Sequence, residues 1–169
     1  MKRKEREEAL AQLIVQDKEH FYRLAYSYVK NQQDALDVVQ DSIHKALRGV
    51  HRLEKEANLR NWYIRILINT AIDKLRKQKR EVLIDQATLE GMAPSSNDSY
   101  KNVDLEQVLQ QLSPKYRIVI VLKYFEDLTL REVAEVLDIS ENTAKTRLYR
   151  ALNLLRELMK EATYMGGHF

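Results

Sequence analysis

Cysteine is absent from this 169-residue chain, and glycine and proline are scarce, at four and two copies. Without cysteine there are no disulfides and no thiolate metal sites; the absence suits a reducing compartment without requiring one. So few helix breakers favour a helix-rich protein. No apolar run is long enough to span a bilayer, and the charged start, Met1-Lys-Arg-Lys-Glu-Arg-Glu-Glu, has no apolar segment behind it. These absences set the expectation of a cytoplasmic protein without direct membrane insertion. Enzyme signatures are missing too: no Gly-rich phosphate loop, no His-Glu-x-x-His and no cysteine nucleophile. His20, His44, His51 and His168 lack ligand spacing. No catalytic residue, cofactor or metal is therefore expected. Nor is there a global field: 28 Lys and Arg against 25 Asp and Glu leave a net charge of only +3. Any nucleic-acid binding has to come from local patches.

What is present is organised around the stretch from Leu128 to Met159, which reads as two helices with a tight corner. Thr129 can cap the first helix, with Glu132 at the capping-box position. Leu130, Val133, Ala134 and Leu137 then share one face. Asp138 and Ile139 make the corner, where Asp tolerates a left-handed backbone better than most non-glycine residues. Ser140 can cap the second helix. That helix buries a stripe of Ala144, Leu148, Ala151, Leu152, Leu155, Leu158 and Met159. Its far side carries Asn142, Lys145, Thr146, Tyr149, Arg150 and Asn153, which can donate to phosphates and base edges. The pattern fits a helix-turn-helix whose second helix enters the major groove. An ordinary helical hairpin with a solvated face matches the same residues.

Upstream, residues from about Glu5 to Lys30 hold an apolar face, with Asp17 able to divide them into two helices. Asn31 is a plausible cap for a helix from Asp34 to about Val50, whose predicted core stripe is Leu36, Val39, Ile43, Ala46 and Leu47. Asp34, Asp37 and Asp41, with Gln40 alongside, form an acidic ridge; a solvated face helped by the helix dipole and a docking ridge for a basic partner both explain it. A polar connection, Arg48 to Asn58, leads to a long helix from about Leu59 to Lys79. It ends in Lys74, Arg76, Lys77, Lys79 and Arg80, which suit either the helix dipole or a phosphate backbone. Trp62 and Tyr63 offer π faces for an unpaired base, or side chains for a core. The Gly91 to Ser99 stretch reads as linker. Then come a short helix with Leu105, Val108, Leu109 and Leu112, a Ser113-Pro114 helix start, and a helix carrying Tyr116, Ile118, Val119, Val121, Leu122 and Phe125. The expected fold is all-α: residues 1–80 and 103–162 form two small helical domains, joined by a flexible linker at 81–102 and followed by a frayed tail at 163–169.

The order of these parts resembles the bacterial RNA polymerase sigma factors of the extracytoplasmic-function (ECF) group, over about Asp17 to Met159. Asp34–Leu47 is similar to that family's core-binding helix, Leu59–Arg76 to its −10 helix, and Leu112–Arg117 with Leu128–Leu137 to its −35 domain. The resemblance implies a promoter-specificity subunit without chemistry of its own. Asp37, Gln40 and Asp41 would face the clamp helices in the largest subunit of core RNA polymerase, which favours the docking ridge over the solvated face. Trp62, Arg65, Asn69 and Asp73 would handle the single-stranded −10 element, with the Arg48 to Asn58 loop holding a flipped base. Lys74, Arg76 and Lys77 would follow the adjoining backbone. Asn142, Lys145, Thr146, Tyr149 and Arg150 would read duplex at −35, and Arg147 would bind phosphate or pack. An anti-sigma partner is expected on the same ground. Asp73 departs from a purely basic face: it can accept from a cytosine amine, repel phosphate, or pair with Lys77. The competing reading is a free-standing helix-turn-helix regulator, which leaves the ridge and the basic strip without a common purpose.

Overall fold

The computed structural model describes residues 3–54, 58–85 and 105–166. Every regular element in them is helical. The first domain comprises α1 (Arg3–Gln16), α2 (Lys18–Val29), α3 (Gln32–Gly49), a 3₁₀ turn (Val50–Arg52) and α4 (Leu59–Asp85). The second comprises α5 (Leu105–Gln111), α6 (Pro114–Ile120) with a π-helical turn at Val121–Phe125, α7 (Leu130–Leu137) and α8 (Glu141–Gly166).

The helix boundaries follow local chemistry. Asp17 ends α1 and precedes α2, so the N-terminal stretch is two helices. Asn31 accepts the Asp34 backbone N–H at 3.0 Å and starts α3. Pro114 occupies the first turn of α6, although Ser113 makes no side-chain cap bond. Two boundaries differ from expectation. Helix α4 runs to Asp85, into the stretch read as linker; residues 86–102 lie outside the described residues. Helix α8 reaches Gly166, so residues 163–166 of the expected tail are helical, and 167–169 lie outside the described residues.

In the first domain, α2, α3 and α4 pack on one another around Phe21, Leu24, Ala25, Val38, Tyr63, Ile64, Leu67 and Ile68, all essentially buried. Burying each of the Phe, Leu, Ile and Val side chains among them is worth about 1.5–3 kcal/mol. Phe21 meets Tyr63 edge-on with centroids 4.8 Å apart. Tyr63 is therefore core, and its hydroxyl pairs with Ser42 Oγ at 2.8 Å inside it. The predicted stripe of α3 is rotated. Ala35, Val38, Ser42 and Ala46 face inward, while Leu36 and Leu47 are 53% and 40% exposed. Small residues on the inner side let α3 approach its neighbours closely, and that phase turns the two leucines outward.

In the second domain, Val119, Leu122, Val133, Val136, Ala144, Leu148 and Ala151 form the core between α6, α7 and α8. Beyond Ala151 the apolar stripe of α8 thins to half-buried Leu152, Leu155 and Leu158, and Met159 is exposed. The two domains also lie against each other. Helices α2 and α4 of the first pack on α6 and α7 of the second, and their buried side chains join one continuous cluster.

Candidate nucleic-acid interfaces

The two-helix corner is built as its residues dictate. Thr129 accepts the Glu132 backbone N–H at 3.1 Å while Glu132 accepts the Thr129 N–H at 3.0 Å, a complete capping box. That cap holds the Glu132 carboxyl below its usual range, first through the backbone hydrogen bond from Thr129. Asp138 ends α7 in the left-handed region at φ 55°, and Ser140 Oγ accepts the Thr143 N–H at 3.0 Å to start α8. The outer face of α8 then presents Asn142, Lys145, Thr146, Tyr149 and Arg150, all exposed, with Arg147 half-buried at its edge. No Asp or Glu occurs between Asn142 and Asn153, and among the described residues no carboxylate pairs with Lys145, Arg147 or Arg150. Lys145 Nζ lies 6.0 Å from the Tyr149 ring centre. The Thr146 hydroxyl donates to Asn142 O at 3.0 Å, within its own helix.

Two neighbours of this face escaped the sequence reading. Lys115 and Tyr116, on the first turn of α6, line one hollow with Asn142, Thr143, Thr146, Arg147 and Arg150. The Arg150 guanidinium beside the Tyr116 hydroxyl, with Lys115 nearby, draws the phenol below its ordinary pKa. Lys115 also sits 5.0 Å over the Tyr116 ring. Only a basic residue beside the helix-starting Pro114 could have signalled them.

On α4, Asn58 accepts the Asn61 N–H at 3.1 Å and begins the helix. Trp62 is half-buried, its ring resting on Gly49; a Cβ built there would lie 3.4 Å from Cζ2. Arg65, Asp73, Arg76 and Lys77 are exposed, and Asn69 is half-buried. Asp73 makes no ion pair with Lys77 among the described residues. The loop that leads into this face is described up to residue 54 and at 58; residues 55–57 lie outside the described residues.

One expected division is crossed. Lys74, read as part of the basic strip, donates to Asp37 at 3.2 Å and stands 3.9 Å from Asp34. Gln78 donates to Asp34 at 2.7 Å. Lys74 is thus tied to the acidic ridge and half-buried, so Arg76 and Lys77 form the free part of the strip. On the ridge itself Gln40 and Asp41 are exposed beside Leu36.

The second feature missed is the seam between the domains, where α7 and the turn before it stand against the first turns of α4. Glu126, 7% exposed, accepts from Arg60 at 3.0 Å and lies against His20. Asn61 donates to Glu132, and Arg65 stands 3.8 Å from Asp138. Arg117, 2% exposed, donates to Tyr28 O and Leu112 O, each at 2.9 Å.

Comparison with known proteins decides the family. The family model for sigma-70 region 2 matches residues 13–81, and that for sigma-70 region 4 matches residues 102–155. The RNA polymerase sigma factor SigV of Bacillus subtilis is 48% identical over 163 residues, covering 95% of this chain and 98% of the relative. This chain belongs to the ECF sigma factors. The ECF RNA polymerase sigma factor SigW of the same bacterium is 30% identical over 172 residues, 92% of this chain and 91% of the relative. Among solved structures, the sigma factor RpoE in complex with the anti-sigma factor NepR from Bartonella quintana aligns with a TM-score of 0.73 at 27% identity, over 89% of this chain and 96% of that one. CnrH in complex with the cytosolic domain of CnrY aligns at 0.64 and 25% identity, over 91% and 89%. The chain is thus an alternative sigma factor with regions 2 and 4, a transcription-initiation protein. Among its described residues no helix is long and apolar enough to cross a membrane.

Proposed function

We propose that this sigma factor recruits core RNA polymerase to promoters by dividing recognition among three surfaces. Residues 1–80 act as region 2 and 103–162 as region 4, with 81–102 between them and 163–169 as a tail. The acidic ridge of α3, led by Gln40 and Asp41 with Asp37 at its edge, meets the clamp helices of the largest polymerase subunit. The α4 side chains Trp62, Arg65, Asn69 and Asp73 take the opened −10 strand, and Arg76 and Lys77 follow its backbone, joined by Lys74 if it leaves Asp37. Asn142, Lys145, Thr146, Arg147, Tyr149 and Arg150 engage duplex at −35. An anti-sigma protein holds the chain until it is needed, as the similarity to sigma factors solved with such partners suggests.

The observation that carries this reading is the face of α8: exposed, free of carboxylates, and presented by a fully capped corner. A helix so arranged can form charge-assisted bonds to phosphates and bidentate bonds to bases. The decisive experiment adds the purified chain to core polymerase and scores transcription from a promoter library. A sigma factor yields start sites that depend on both chain and polymerase. Tight duplex binding without polymerase, and no new start sites with it, would replace this reading with a free-standing regulator.

A further inference from the structure

We propose that the cleft between α2 and the α5–α6 pair is a binding site for a small organic anion, a carboxylate on a flat apolar body, seated against the buried guanidinium of Arg117.

The cleft holds about 500 Å³, a volume in the range of small-molecule sites. Both domains line it. Tyr22 and Tyr26 stand one turn apart on α2, their ring centroids 6.2 Å apart and their planes tilted by 32°. Leu109 of α5 and Val121 of the π-helical turn add apolar surface from the second domain. Such walls suit a ring.

The charge on the lining is of one sign. Arg117 and Arg23 both belong to it, and no Asp or Glu is among its described residues. Arg117 is 2% exposed, yet among the described residues no carboxylate pairs with it or with Arg23. Two of its nitrogens donate to backbone carbonyls, Tyr28 O and Leu112 O, each at 2.9 Å, and Nε has no partner among the described residues. Carbonyls satisfy N–H groups but supply no countercharge. Burial accordingly draws the guanidinium down to about 10. Burial, and after it the charge on Arg117, also lowers the Lys30 ammonium below its usual value.

Buried charges are ordinarily paired. A cation held without its anion, on the wall of a cleft wide enough to admit one, marks where the anion belongs. A carboxylate suits what is left: two guanidinium nitrogens are committed to carbonyls, and one buried charge balances a monoanion. Hydrogen bonds to an ionised group are the strong ones, more so out of water. Because the lining comes from both domains, the ligand binds only while they are docked and stabilises the folded chain by mass action.

The probe is 2-naphthoate. Protonated 2-naphthylmethylamine reverses its charge, and inorganic phosphate lacks its apolar body. At millimolar concentration naphthoate should raise the unfolding midpoint by about 2–4 °C, the shift expected for a ligand at several times its Kd in a chain of this size. The other two should raise it less. No shift with naphthoate, or an equal shift with either counterpart, overturns the proposal. Removing Arg117 would free two carbonyls, so the variants act on the cleft around it. Ser27 lines the cleft and spends its hydroxyl within α2, on Leu24 O at 2.7 Å. Ser27→Trp should fill the space and abolish naphthoate binding in calorimetry. Arg23 is exposed, and Arg23→Glu should weaken binding about tenfold or more. Arg131→Glu makes the same charge change on α7, outside the lining, and should leave binding unchanged. Thermal melts of each variant report its folding. Binding that survives both cleft variants, or that falls equally in the two charge reversals, overturns the site.

Discussion

Helices α4 and α8 carry the same kind of chemistry and meet opposite fates in the fold. Both project Asn, Arg, Lys and an aromatic ring from one side. On α8 that side is open: Tyr149 is 58% exposed, and among the described residues no carboxylate pairs with its cations, which stand beside Tyr116 and Tyr149. On α4 the first turn is half-buried, with Arg60 paired to Glu126 in the turn before α7 and Asn61 to Glu132 of α7, and Lys74 farther along is taken by Asp37. A duplex reader can be finished as a rigid surface, because intact DNA arrives with its phosphates in register. On α4 Trp62 and Asn69 are half-buried, and Arg65 stands beside Asp138 of the second domain.

Substitutions on the two helices test that contrast, beginning with the largest effect. Combining Lys145→Ala with Arg150→Ala should lower −35-dependent transcription by at least about 30-fold, given about 1–3 kcal/mol for each good base or phosphate contact. It should leave polymerase binding unchanged and flatten the salt dependence of promoter binding. If polymerase affinity falls in parallel, the division between surfaces is wrong. On the ridge, Asp41→Lys should weaken polymerase binding about tenfold, equivalent to about 1.4 kcal/mol. Asp37→Ala should do less, because Asp37 is already shared with Lys74; equal effects would mean that this pair breaks on binding.

Two smaller effects probe the scaffolds beneath these faces. Gly49→Val pushes a branched side chain into the Trp62 ring, and overpacking of this kind typically costs about 1–3 kcal/mol. It should lower the unfolding midpoint and shift the emission of the single tryptophan, while leaving −35 duplex binding intact. Thr129→Ala removes one half of the capping box and should cost about 1 kcal/mol in urea unfolding. The same box predicts a pH dependence. The folded Glu132 carboxyl titrates below its ordinary value of 4.5, so its contribution is complete above that pH and is lost as acid carries the protein through the lower folded value. Glu132→Gln should remove that acid-side slope.

Much of the framework was legible because its causes are local. The Asn31 cap, the Asp17 break, Pro114 at a helix start, the Thr129–Glu132 box, the left-handed Asp138 and the Ser140 cap all depend on residues within a few positions of one another. The open face of α8 followed as well, since a helix buried along one stripe leaves its other side to solvent. Less was legible on α3. Ala46 is buried as expected. Leu36 and Leu47 looked like core by hydrophobicity, yet close approach to α2 and α4 selected Ala35, Val38 and Ser42 for the inside. Tyr116 and Lys115 gave almost no signal, because their link to Arg150 crosses from α6 to α8.

The sequence by itself determined the helices, most of their starts, their division into two domains and the family to which they belong, since periodicity and capping act over a few residues. Only the tertiary structure decided which charges meet. Nothing local marks Glu126 and Arg117 as buried; that follows only when α6 and the turn before α7 are set against α2 and α4, where one pairs with Arg60 and the other with the end of a helix. Those partners lie 66 and 89 residues away along the chain. Coulomb and hydrogen-bond energies depend on separation in space, which no local pattern encodes.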